Sequence, residues 1–205
     1  IDGHFTRIAR AFKRVGAFPE EAGSDEEVAQ RLAIVFGPML DLGVAQAAVI
    51  VALPTAGRRD SDWPSLRVAN ATLGGGFQGW LTQEVRVKRG LTYGAGSLIE
   101  NRRDAAYLMA VTQTKTASAN EVVGLTLDQI GRFGREPVDT ERASERATYL
   151  ANGLSGQTER AAGLADYLAT LVASGAPLAA LPAELSPSAP SPERIAAAVA
   201  AHLRA

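Results

Sequence analysis

Three features of the sequence predict an α+β fold, a two-layer sandwich of a mostly antiparallel sheet with helices packed on one face. The run VAQAAVIVAL (residues 44–53) has the length and apolar content of a strand placed centrally in a sheet. Two β-type segments, 93–99 and 105–114, flank a polar turn at 101–104 and read as an antiparallel hairpin. Much of the remaining chain carries apolar residues at three- and four-residue spacing, with Ser, Asp, Gly or Pro at the ends, as amphipathic helices do. The predicted order is helix, two strands, two helices, two strands, then mainly helices. That order suits one sheet covered on one face.

The elements are justified in chain order. Ile8, Phe12 and Val15 recur at helical spacing, so residues 2–15 are expected to be a helix with Asp2 near its start. A loop is expected at 16–23, and residues 28–36 read as a strand broken by Gly37-Pro38. Pro54 and the polar run to Asp62 form a connection. Asp62 is the expected N-cap of a helix to about Leu73, with Pro64 in its first turn and Leu66, Ala69 and Leu73 facing the core. After the hairpin, Ser118 and Glu121 have the spacing of a capping box for a helix to about Phe133, with Val122, Leu125 and Ile130 inward. Further helices are expected from Asp139 to about Leu154 and over 159–173. The five prolines between Gly175 and Pro192 predict a surface loop without a helix, and 191–203 an Ala-rich last helix.

Composition narrows the function classes. The chain has 205 residues, read as a single domain over 1–205, with 46% hydrophobic and 21% charged residues. A net charge of −1 gives no electrostatic case for nucleic acid. No apolar run approaches the roughly 18 residues of a membrane span. Cysteine is absent, which removes disulfides and cysteine-based nucleophiles or metal sites. The abrupt start at Ile1-Asp2-Gly3 reads as a piece of a longer or processed chain.

The chemistry-bearing stretch is LGGGFQGWLTQEVRVKRGLTY, residues 73–93. It reads as a glycine loop, a short amphipathic helix with Phe77, Leu81 and Val85 on one face, a stop at Gly90, and the start of a strand. A chain folding back at that corner would bring Arg86 near the Tyr93 hydroxyl. Trp80 is a candidate for a partner interface. Gly74, Gly76 and Gly79 satisfy Gly-x-Gly-x-x-Gly, but a dinucleotide site needs a strand before that loop, and a helix is predicted there. The glycines are then either a tight turn between helices, required by sterics alone, or a loop that faces a peptide. Arg86 and Tyr93 alone would suit an ordinary surface Arg and a half-buried strand Tyr.

Taken together, Leu-Gly-Gly-Gly-Phe (73–77), Gln83, Glu84, and Arg86-x-x-x-Gly90-x-x-Tyr93 resemble the carboxy-terminal half of pitrilysin-type (insulinase-like) zinc peptidases. The resemblance implies a metallohydrolase-like half-domain that binds no metal itself. It implies that Arg86 and Tyr93 assist catalysis across domains or in trans, and that Gly74, Gly75, Gly76 and Phe77 bind substrate. It places zinc in a partner domain or subunit, leaves open a homo- or heterodimer, and suggests a bacterial periplasmic or envelope setting by analogy. The departure is Gln78-Gly79-Trp80 after Phe77, where relatives often carry Ser-Arg or similar.

The rest of the sequence agrees that this chain holds no zinc. An inverted motif needs His-x-x-Glu-His, and the two histidines, His4 and His202, have no such neighbours. Gly153-Leu154-Ser155-Gly156 is not a nucleophile elbow and reads as a helix boundary. Two functional readings remain. One is the non-zinc half of a peptidase. The other is a structural or interaction module in which Arg86 and Tyr93 only buttress the fold. Nucleotide binding through the glycine loop is the weakest reading.

Overall fold

The computed structural model describes residues 45–203 except position 187, together with Ser24. The expected helix at 2–15, loop at 16–23 and strand at 28–36 lie outside the described residues. From Gln46 onward the chain forms one unit.

Strand β1 (Gln46–Thr55) is followed by helix α1 (Trp63–Gly74), a π-helix (Thr82–Lys88), and strands β2 (Thr92–Asn101) and β3 (Ala106–Lys115). Helices α2 (Ala119–Gly131), α3 (Thr140–Thr158), α4 (Ala161–Ala173), α5 (Leu181–Leu185) and α6 (Pro192–His202) complete the unit. The three strands form an antiparallel sheet in the order β1-β3-β2. The α+β class and the 101–104 hairpin are as expected. The apolar run is not the middle strand of these three: β3 is, and β1 pairs with β3 alone among the described residues.

Alternation sorts the strands onto two faces. Val49, Val51 and Leu53 of β1, Leu108 and Ala110 of β3, and Ala95 and Ile99 of β2 turn toward the helices. Leu66, Ala69 and Leu73 of α1 meet them, each at most 1% exposed, and Ile195, Ala198 and Val199 of α6 close the layer. Burying side chains of this size stabilises the fold by about 1.5–3 kcal/mol apiece. Ile50, Leu98 and Tyr107 lie exposed on the strands.

The helix ends show where local rules held. Asp139 caps α3 by accepting from the Arg142 amide at 2.8 Å, and Ser191 caps α6 from the Arg194 amide. Pro64 sits at the start of α1, where its missing N–H costs nothing. The capping box at Ser118 does not form. A 3-10 turn over Thr116–Ser118 leads into α2, the Ser118 side chain makes no cap bond, and Glu121 instead lies 3.6 Å from Arg89.

The proline-rich segment also differs from expectation. It holds a 3-10 turn (Leu178–Ala180) and the short helix α5, with Pro182 at the helix start. What secures α5 is Glu184, 8% exposed, which pairs with Arg58 at 3.2 Å and Arg67 at 3.3 Å. Glu184 also accepts from the Trp63 indole N–H at 3.2 Å and from the Tyr167 hydroxyl. Burial, and then the bond to Glu184, pushes the Tyr167 hydroxyl above its ordinary 10.0.

Candidate functional site

The glycine turn is built by close packing. Gly74 ends α1 against β2, where an added Cβ would meet the Ser97 amide nitrogen, and one on Gly75 would meet the Ala71 carbonyl oxygen. Gly76 takes φ 63°, a left-handed conformation that costs other residues about 1–2 kcal/mol. At Gly79 a Cβ would stand 2.9 Å from the Gly74 carbonyl carbon. Thus Gly74 and Gly79 are buried, while Gly76 and Phe77 are exposed. The loop is no phosphate cradle. It follows a helix, and the Gly75 and Gly79 amides donate to Ala71 at 2.9 Å and Gly76 at 3.3 Å.

This turn overturns two expectations about its neighbours. The helix resumes only at Trp80, so Phe77 is not on its apolar face and is 57% exposed. Leu81 and Val85 are buried as expected. Trp80 is 4% exposed and packs on Phe133 with ring centroids 4.7 Å apart, so it belongs to the core and not to a partner surface.

The segment carrying Arg86 is a π-helix, a rare form that is frequent at functional positions. It ends through Gly90, whose φ of 64° lets its amide return to the Arg86 carbonyl at 2.9 Å. Glu84 holds Lys88 at 2.9 Å and Arg89 at 3.1 Å, and the hydrogen bond from Lys88 holds its carboxyl below the ordinary 4.5. Arg86 is left out of these ion pairs.

Tyr93 follows at a β-bulge. Thr92 pairs with Thr114, but Ala95 pairs with Thr112, so β2 carries one extra residue there. The Gly94 amide donates to Thr92 Oγ1 at 3.1 Å, and Thr112 Oγ1 stands 2.8 Å from Thr92 Oγ1 and from the Gly94 carbonyl. The bulge turns Tyr93 out of the sheet, leaving it 92% exposed.

Turn, π-helix and bulge converge on one feature. The Arg86 guanidinium carbon lies 5.4 Å from the Tyr93 ring centroid and 5.7 Å from that of Phe77. The sequence placed Arg86 near the Tyr93 hydroxyl; the structure sets its guanidinium over the Tyr93 ring, and what the sequence missed is Phe77 as a second ring on the same guanidinium. Such contacts hold a cation in place without consuming its hydrogen-bond donors.

Metal ligation has a weaker basis. Among the described residues, Asp60, Asp62 and His202 alone bring three potential ligands within 4.8 Å of one another. Their atoms already serve the fold. The Asp62 amide donates to Asp60 Oδ1 at 2.8 Å, and His202 Nε2 lies 3.1 Å from Asp62 Oδ2, tying the end of α6 to the start of α1. One imidazole and two carboxylates spent in this way do not fit a catalytic zinc. Ser155 lies inside α3, not at an elbow.

The described unit is a one-face α+β layer that presents an exposed Arg86–Tyr93 pair beside a glycine turn. Residues 8–147 match the family described as the Peptidase M16 inactive domain, and the chain belongs to that family. An uncharacterized zinc protease of Streptomyces coelicolor is 29% identical over 143 residues, 62% of this chain and 31% of that protein. The chain therefore spans less than one third of that curated relative's length. The inactive peptidase M16 domain from Pseudomonas fluorescens superposes with TM-score 0.66 at 24% identity, over 78% of this chain and 39% of that one. A protease from Helicobacter pylori gives TM-score 0.66 at 15% identity, over 80% and 40%. At these identities the structural likenesses establish the fold, and the family assignment makes this an inactive domain of zinc-protease type.

Proposed function

We propose that this chain, as one domain over 1–205, is the non-zinc half of a zinc metallopeptidase. In this reading it holds the peptide while a zinc-bearing domain or subunit supplies the metal. The observation that carries the reading is the Phe77–Arg86–Tyr93 stack: three side chains from three elements, exposed, fixed by a glycine turn, a π-helix and a bulge.

The chemistry follows from charge. When hydroxide adds to a peptide carbonyl, negative charge grows on the oxygen. The Tyr93 hydroxyl and the Arg86 N–H groups are donors able to stabilise it, and fixed donors lower the barrier without reorganising at the moment of reaction. The planar fork of Arg86 also suits a substrate carbonyl. Phe77 offers an apolar rest for a substrate side chain, Gly76 a backbone that a peptide can approach closely, and Gly74 and Gly75 the shape of the loop.

Reconstitution tests the reading. The chain, combined with the zinc-bearing half that accompanies it, is expected to cleave a quenched fluorescent peptide, with activity lost on omitting either half or on chelating zinc. Tight association of the halves with no cleavage of any peptide in a diverse library would instead favour the structural-module reading, which the exposed Ile50 and Leu98 on the sheet also suit.

A further inference from the structure

A hollow of about 610 Å³ opens where α3 passes α1 and α4. Leu150, Leu154 and Tyr149 of α3 give it apolar walls, and two guanidiniums, Arg58 and Arg67, share it with the exposed Asn152. Among the described residues no aspartate or glutamate lines it. The carboxylate that both guanidiniums meet is Glu184, so two positive charges share one negative charge.

Glu184 has no capacity left for the second guanidinium. An ionised carboxylate offers about four lone-pair sites. Arg58 Nη1 donates to both oxygens at 3.2 Å, the Trp63 indole N–H to Oε1 at 3.2 Å, and the Tyr167 hydroxyl to Oε2. Arg67 Nη1 lies 3.3 Å from Oε2, yet Arg67 enters no hydrogen bond among the described residues. Its side chain is 18% exposed and lines the hollow, and none of its unpaired nitrogens is sealed from solvent. Arg58 Nε, by contrast, is buried and takes no part. A half-buried cation whose counter-charge is already saturated is poised for an anion.

The hollow also reaches the glycine turn. Tyr149 is 46% exposed, and a Cβ on Gly76 would stand 3.2 Å from its hydroxyl. Arg67 precedes Gly74 in α1 by about 10 Å along the axis, the reach of about three extended residues.

We propose that this hollow is a subsite for a peptide carboxylate, in which Arg67 binds the carboxylate while Leu150, Leu154 and the Tyr149 ring receive an adjoining apolar side chain. The carboxylate is the C-terminal group or an Asp or Glu side chain. Naming the ligand a peptide rests on the reading that peptide lies across Phe77, Arg86 and Tyr93, with Tyr149 joining the two places. A charge-assisted contact from a guanidinium distinguishes acid from amide.

Direct binding to the full chain, measured by calorimetry, tests this. Three probes are compared: acetyl-Ala-Ala-Leu as the free acid, the same peptide amidated, and amidated acetyl-Ala-Glu-Leu. The free acid, the Glu peptide or both are expected to bind about tenfold more tightly than the neutral amide. Which of them does so identifies the source of the carboxylate. Arg67→Gln should abolish the preference, and it leaves Glu184 with one guanidinium, so the fold should hold. Asn152→Asp, at an exposed position, adds a carboxylate to the lining; it should reduce the preference and carries the test if the first variant does not fold. The preference should shrink with added salt. Binding that is equal for all three probes, or undetectable for all, overturns the proposal, as does a preference that survives both substitutions. The two readings fail separately: peptidase activity indifferent to Arg86 and Tyr93 would leave the acid preference standing, and loss of the preference would leave the role of Arg86 standing.

Discussion

Gly74 and Gly94 answer differently to an added methyl group. At Gly74 the new carbon would meet the backbone of β2, which cannot retreat without shifting the sheet, whereas at Gly94 nothing lies within 4 Å. Gly74→Ala is therefore expected to destabilise the domain by about 3 kcal/mol, the upper range of overpacking, and Gly76→Ala by about 1–2 kcal/mol through its positive φ. Gly94→Ala should stay within about 0.5 kcal/mol. Urea denaturation of the three variants checks the order. Equal effects at Gly74 and Gly94 would remove steric packing as the reason for the glycine run. The triple glycine was legible in the sequence as either a steric turn or a peptide-facing loop, but the obstacle at Gly74 was not, because its atoms belong to Ser97, remote in the chain. Phe77 and Trp80 were misread for a related reason. Spacing of four assumes that a helix is already under way, and the turn delays it until Trp80, which takes the inward place and leaves Phe77 outside.

At the scale of elements, helices whose ends are set locally were legible. Asp139, Ser191 and Pro64 act within a few residues of themselves, and the hairpin turn is equally local. Elements held by distant partners were not. Helix α5 lies in a proline-rich segment and owes its place to Glu184, whose four partners are Arg58, Trp63, Arg67 and Tyr167. Glu184→Gln leaves two half-buried guanidiniums without a counter-charge. It is expected to cost about 3 kcal/mol and to loosen 175–190 ahead of the rest, visible as faster amide exchange there. Unchanged exchange would mean that apolar contacts alone hold α5. The π-helix and the β-bulge were likewise invisible in the sequence. Each is a one-residue irregularity that periodicity averages away, yet together they aim Arg86 and Tyr93.

For the molecule as a whole, the sheet and its helical layer are a platform, and the exposed stack is what the platform presents. Sequence reasoning reached the family through a set of residues that hydrophobic pattern alone does not explain, and the fold then gave those residues a common location. In the proposed reading the chain offers donors and shape and another domain supplies the zinc; among the described residues, three potential metal ligands come together at Asp60, Asp62 and His202, whose atoms serve the fold. The most direct test is to compare kcat/KM of the assembled two-half enzyme carrying Arg86→Ala or Tyr93→Phe with that of the unaltered enzyme. Loss of one transition-state donor should lower it about a hundredfold, an effect of about 3 kcal/mol, with unfolding midpoints preserved because both side chains are exposed. Rates unchanged by either substitution would contradict the account and leave the stack as a surface ornament of a structural domain.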